Sequence, residues 1–386
     1  MADLKDLFTS YLASISELSS FQQKAWNRFC DEYVLKKEDE ELFFNNKVLA
    51  SEKKLSSFDM SMVRLGCDYL VFVDGFFQKH LSSFPECLEI YEEKEAKEIY
   101  SHFAINHQKE RWREHLFPLY WLQFLFSKAK IWIRVPGKIR LQKPIQMIHI
   151  FTQENAWVFP SMQIIAGKES SISFFSTIIG GKTSYVSSII DFFLEEASKV
   201  RYISSQEGGF QDEMVVASVK KEAQLEVKSW NEESNFHRKH YHVFLEGEKG
   251  SFHLLEGWKA AQIDKLEVFS CVDHRAPMTI SKLLTKGIVT EKSSSSFKGD
   301  IWIRSNANLS ESSQLNHNLI LDEGKATTSP QLRVFVDEVK AVHGSTIAQM
   351  EEEELFYLET RGISKEESRI LFVEGFLKEI TDGFFI

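Results

Sequence analysis

The chain has 386 residues, 43% apolar and 26% charged, with 32 Phe and 8 Trp. That is core material for a folded protein of two or three units and excludes a disordered chain. Lys and Arg total 46 against 56 Asp and Glu, a net charge of −10, so no basic field exists to hold a nucleic-acid backbone.

The first residues, MADLKDLFTS, carry early acids and no apolar stretch of signal-peptide type, and the greasiest run, Leu116 to Phe126, is too short for a bilayer and contains a proline. A cytoplasmic protein without membrane or nucleic-acid partners is expected. From Leu4 to about Leu35 apolar residues recur at helical spacing (Leu4, Leu7, Phe8, Leu12, Ile15, Leu18), which predicts an N-terminal helical region. CDYLVFVDGFFQKHL, from Cys67, reads as a strand, an Asp74-Gly75 turn and a second strand; helical sequence resumes from Glu92 through about Ser127.

From Ile131 to about Ala341 alternating β-branched and aromatic residues dominate. Turns at Gly167, Ala197, Ala223 and Gly250 recur every 26 to 30 positions, each followed at once by another strand-like run. This period suits the coils of a β-solenoid better than propeller blades; a large β-sandwich is the other architecture it fits. The tail is helical again, with capping boxes expected at Thr346/Gln349 and Ser364/Glu367 and a stop at Gly362. In the last helix Ile370, Val373, Phe376, Leu377 and Ile380 form one apolar stripe, read as core-facing ahead of partner-facing. The predicted units are 1–130, mainly helical; 131–345, a β-helix core; and 346–386, helical.

Several stretches invite a chemical reading. IIGGKTS, from Ile178, ends like a phosphate-binding loop, but Ser176 stands where the first glycine is needed and a strand follows, so Gly180-Gly181 reads as a turn. HRKHYHVF puts His240 and His242 on one side of a strand, without the carboxylate or cysteine that would complete a metal site, and reads as a surface or stacked histidine cluster. Asp273 and His274 are adjacent and cannot easily form the hydrogen bond of a hydrolase triad; Ser293 to Ser296 read as a loop. Cys30, Cys67, Cys87 and Cys271 are too dispersed for a disulfide framework or a self-contained metal centre. His343 stands at the end of a strand before a helix start. It is either a corner histidine, with Gly344 permitting the turn, or one ligand of a metal site completed from elsewhere.

The C-terminal half carries an ordered series: Phe297-Lys298-Gly299, Asn316-His317-Asn318-Leu319, Pro330-Gln331-Leu332, His343-Gly344-Ser345-Thr346, Phe356-Tyr357-Leu358 and Arg361-Gly362. In this order and spacing it resembles the SufB/SufD family of the SUF iron–sulfur cluster assembly system. LVFVDGFF and Lys143-Pro144-Ile145-Gln146 resemble the family's entry into its β region. HGST, where the SufB branch reads H-E-A-T, and the lack of that branch's ligand cysteine segment make the chain similar to the SufD branch. Ala341 departs from it, since SufD proteins commonly carry a cysteine there.

The resemblance implies a right-handed parallel β-helix flanked by N- and C-terminal helical regions. It also implies a non-catalytic scaffold in a complex with SufB and two copies of the ABC ATPase SufC. By carry-over, His343 is a ligand of the transient, nascent cluster at the SufB interface, and Phe356, Tyr357, Leu358, Arg361 and Gly362 dock the ATPase. No residue identifies a site for a reduced flavin, which such a complex could carry. The rival expectations are a carbohydrate-active β-helix enzyme, and a homodimeric scaffold working without SufB.

Overall fold

The structure, a computed structural model, describes residues 48–92, 95–96, 120–127, 130–207, 209–232, 235–350 and 352–382, with Gln23, Trp26 and Asn27. The expected helical region from Leu4 to Leu35 lies outside these, apart from Gln23, Trp26 and Asn27, which are helical, and the expected helical stretch from Glu92 to Ser127 is described only in part.

The strands are β1 Val48–Leu49, β2 Asp68–Val73, β3 Phe76–Phe77, β4 Glu89–Glu92, β5 Lys130–Val135, β6 Ile145–Phe151, β7 Ala156–Val158, β8 Ser161–Ala166, β9 Ser171–Gly180 and β10 Tyr185–Leu194. They continue as β11 Lys199–Glu207, β12 Phe210–Val219, β13 Gln224–Glu232, β14 Phe236–Leu245, β15 Ser251–Ala260, β16 Lys265–His274, β17 Ile280–Val289, β18 Ser294–Ile303, β19 Glu311–Ile320, β20 Lys325–Val334 and β21 Lys340–Gln349. Three α-helices, α1 Tyr120–Phe126, α2 Glu352–Glu359 and α3 Lys365–Thr381, and two 3-10 turns, Met60–Met62 and Lys79–Leu81, are the other named elements. None is long and apolar enough to cross a membrane.

The strands alternate between two sheets. Sheet A runs β20-β18-β16-β14-β12-β10-β8-β5-β4 and sheet B runs β21-β19-β17-β15-β13-β11-β9-β6-β2-β3. From β5 and β6 onward the pairings within each path are parallel, and the chain forms a β-solenoid of about 7 turns. Tyr185 pairs with Phe210 and Ser294 with Lys325, so a coil takes 25 to 31 residues. At the entry, Asp74 and Gly75 both have positive φ, 49° and 87°, the hairpin turn expected between β2 and β3.

Strand alternation puts one set of side chains inside the coil, and the parallel register stacks like on like. Ala217, Val243, Val272 and Ile301 form one such column, each fully buried and each paired to the next. The six corners from sheet A to sheet B between β8 and β19 each hold a non-glycine residue in the left-handed region, Glu169, Ala197, Glu222, Lys249, Met278 and Leu309, and the last, between β20 and β21, holds none. That conformation costs about 1–2 kcal/mol per residue. It is offset because each of these N–H groups donates to a carbonyl of the next corner, as Ala197 does to Lys221 and Glu222 to Glu248.

α3 lies on the outer face of sheet B. Its capping box at Ser364 and Glu367 forms as expected, and Gly362 ends the preceding turn with φ +87°. Val373, Phe376, Leu377 and Ile380 of the predicted stripe pack toward the sheet, Leu377 against Ile288 and Leu319, and Ile380 with Ile203 and Trp230. Ile370 does not join them and stays exposed. Lys286 ties the helix end down, donating to the Phe376 carbonyl at 3.1 Å and pairing with Glu379 at 3.0 Å. A Cβ at Gly257 would meet Ile380 Cγ2 at 2.6 Å and the Trp230 ring at 2.8 Å. Gly257→Val is therefore expected to destabilise the chain by about 1–3 kcal/mol and to loosen α3, read as faster hydrogen exchange over Lys365–Thr381.

Two local expectations are corrected. The strand containing His343 does not stop before Thr346: β21 runs to Gln349, with Thr346 to Gln349 paired to His317 to Ile320. The β19 ladder satisfies the backbone groups that a capping box would have used, so no box forms there and the helix starts at Glu352. Gly344 accordingly sits in mid-strand beside Leu315 rather than at a turn. Ser294 to Ser296 are likewise strand, paired with Lys265 to Glu267 on one side and Lys325 to Thr327 on the other, and only Ser293 belongs to the turn.

Candidate functional site

The last coil differs from those before it. β20 and β21 are the final strands of their sheets and have a neighbour on one side only. The strands of the preceding coils each hold buried residues, β14 along its whole length, whereas β20 and β21 have no fully buried residue. Val334, Phe335, Val342 and Ile347 are exposed there, Val342 at 58%. His343 lies in the middle of β21, exposed, in register with Gln314 of β19. It is a single imidazole donor, and among the described residues no group of three or more His, Cys, Asp or Glu could hold a metal ion.

The other predicted site residues lie on α2 and the turn after it. Phe356 and Tyr357 are 65% and 60% exposed, Leu358 is half-buried, and Leu355 turns inward. The Arg361 guanidinium lies over the Tyr357 ring at 5.3 Å and donates to its hydroxyl at 3.2 Å. Arg361 thus braces the Tyr357 ring, next to an exposed Phe356. The six predicted residues thus fall in two places, the imidazole in β21 and the other five on α2 and the turn after it.

The motifs set aside on sequence grounds find structural places. Gly180 and Gly181 have φ of +79° and +71° and form a turn before β10. Asp273 and His274 face opposite ways: Asp273 binds Arg275 and Arg304 at 2.6 and 2.8 Å, while His274 is held by Thr279 and Ser281 at 2.8 and 2.9 Å. His240 and His242 do share one side of β14, with rings stacked 6.4 Å apart beside Phe269, but they are buried rather than on the surface. Burial, with Asp300 and Asp273 nearby, pushes the Cys271 thiol up to about 12, so at neutral pH it keeps its proton and is no thiolate ligand.

A polar group inside the solenoid was missed. Lys239 points into the core, where its ammonium pairs with Glu213 at 2.9 Å and donates to Ser204 at 3.0 Å and to Ser229. Glu213 also accepts from Tyr202 at 2.7 Å and Gln206 at 3.2 Å, and Glu256 accepts from Tyr241, Ser229 and Asn231. Burial raises the Glu256 carboxyl above its ordinary value, against the pull of Lys239. The signal was present in strand parity, since Lys239 has the same parity as Tyr241, Val243 and Leu245, all core residues.

A family profile described as the SUF system FeS cluster assembly SufBD core domain matches residues 149–376, the solenoid and most of α3. The chain belongs to the SufBD family. It is 24% identical over 343 residues to a SufBD family iron–sulfur cluster assembly protein of Synechocystis, covering 81% of this chain and 73% of the relative. It is 26% identical over 295 residues to a SufBD family protein of Staphylococcus epidermidis, covering 72% of this chain and 63% of that one. Escherichia coli SufD matches at 30% identity over 113 residues, 29% of this chain and 27% of its own length. The chain thus spans from about a quarter to about three quarters of these SufBD relatives.

Proposed function

We propose that this SufBD chain is a non-enzymatic scaffold subunit for iron–sulfur cluster assembly in the cytoplasm. In this reading it pairs through its last coil with a SufB-type β-helix and binds a SufC-type ABC ATPase through α2. The observation that carries the pairing is the open edge of β20 and β21, long, apolar in part and covered by nothing among the described residues. Native proteins blunt or cover such edges, because unpaired N–H and C=O rows recruit other strands. A second β-helix of the same cross-section would continue both sheets at once.

At that seam His343 would stand as one nitrogen ligand to the nascent cluster, with softer thiolate ligands supplied by the partner. A one-donor site is chemically sensible at an interface and nowhere else. Residue 341 is Ala, so this chain contributes no thiol there. ATP hydrolysis would come from the ATPase, since IIGGKTS is the end of β9 and a short turn into strand β10, without the helix a phosphate loop needs. The same open edge also fits a second copy of this chain, which is the alternative assembly.

Purification of the tagged chain from its own cells without oxygen, followed by mass measurement, tests the reading. One SufB-type chain and two ATPase copies per tagged chain are expected. A self-dimer, or the chain alone, would refute the mixed complex. Replacing Phe356 and Tyr357 together with Ala is expected to weaken ATPase binding by about 10-fold or more, as for exposed aromatic anchors, with the far-UV CD spectrum unchanged. Equal affinity for the doubly substituted chain would remove α2 from the docking surface.

A further inference from the structure

The solenoid interior near the open end is polar in a way the proposed pairing does not use. Ser204, Ser229, Glu256, Thr285, Asn316 and Ser345 occupy one rung position on successive coils of sheet B. Two residues earlier on the same strands come Leu283, Gln314 and His343. Gln314 is 0% exposed, and neither its Oε1 nor its Nε2 has a hydrogen-bond partner. A buried amide left this way costs about 1–3 kcal/mol and is rare in native proteins.

Its surroundings narrow what can satisfy it. Across the core the chain supplies Gly299, where a Cβ would lie 2.3 Å from both Gln314 Nε2 and Oε1, so the missing side chain is what admits the amide. Asn316, the next inward residue, is already engaged: its Nδ2 donates to Thr285 at 2.6 Å and its Oδ1 accepts from Asn318 at 2.7 Å. On the outer side of Gln314 the paired residue is His343, one strand spacing or about 4.8 Å away along the ladder. Side chains at one register position on adjacent strands stand within reach of each other at that spacing.

We propose that Gln314 is a positioning residue for His343: its carbonyl accepts the proton of one ring nitrogen and leaves the lone pair of the other facing across the open edge. A neutral imidazole has one donor and one acceptor nitrogen, and fixing the donor fixes which nitrogen can ligate. Ligating histidines are routinely held this way by an oxygen behind the ring. The inference rests on the proposed role of His343 for its purpose but not for its test.

The test is the ring-nitrogen NMR spectrum of the full chain labelled with 15N-histidine, above pH 8, with His343 assigned by its loss in His343→Gln. A single tautomer is expected for His343. Gln314→Leu, close in volume, is expected to release it to the mixture of a free imidazole. Gln314→Glu, which keeps an acceptor oxygen at the same place, should keep the tautomer. A free-imidazole mixture in the unaltered chain, or a Gln314→Leu spectrum identical to it, would overturn the proposal; the first result decides even if Gln314→Leu fails to fold. Cluster assembly that survives His343→Ala would instead sink the ligand role while leaving this pairing standing.

Discussion

His343→Ala is expected to lower iron–sulfur cluster formation by the assembled complex by at least about 10-fold, the scale of effect known for groups that merely support a metal ligand. The fold should be untouched. His343 is exposed on the last strand and has no strand beyond it, so its removal should cost no more than the hydrogen bond inferred with Gln314, about 1–3 kcal/mol. The informative experiment reconstitutes the complex with the altered chain, verifies its subunit ratio by mass, and follows cluster absorbance anaerobically. A complex of normal stoichiometry that builds clusters at the unaltered rate would remove His343 from the site. A complex that fails to form would mean that the imidazole serves pairing instead.

Lys239→Met is expected to destabilise the chain by about 3–5 kcal/mol at neutral pH, because it strands a buried carboxylate rather than merely deleting a contact. Lys239 is 1% exposed and is the cation that faces Glu213 and, through Ser229, Glu256. The sign with pH follows from Glu256. Its folded pKa is raised by burial, so its contribution to stability is present below the ordinary glutamate value of 4.5 and is lost as pH rises through the folded pKa. Removing the Lys239 charge removes a term that lowers that pKa, widening the window. The deficit of the variant should therefore be largest near neutrality and smallest below about pH 4.5, as measured by denaturant unfolding across pH. A deficit independent of pH would point to lost packing. Pairing the change with Glu213→Gln should recover part of it, since no lone buried charge remains there.

Strand content and its alternation were legible because they are local and carried by pattern: β13 and β18 alternate inward and outward residue by residue. The Ser364/Glu367 box was legible for the same reason, as both partners lie within one turn of helix. The Thr346/Gln349 box had the same letters and failed, because β19, about thirty residues earlier, offered those backbone groups a ladder. The corners were harder to see. Glu169, Ala197, Glu222, Lys249, Met278 and Leu309 share a left-handed backbone but no residue type, since the bond to the next corner, not a glycine, stabilises each.

His343, Phe356 and Tyr357 could be singled out from the ordered series they belong to, but not their settings. That His343 is mid-strand on an open coil depends on where the solenoid runs out of strands. The Glu213–Lys239–Glu256 group shows the limit most clearly. Parity turns Lys239 inward, yet its partners come from β11, β12, β13 and β15, and only stacking of coils brings them together. By itself the sequence determined the strand content, the coil-length spacing of turns and the helical end, through short-range periodicity, and the family, through the order of its motifs. The tertiary structure alone decided which edge stays open and which charges are buried together, because both depend on register between strands 25 to 31 residues apart, a distance over which no local pattern constrains the chain.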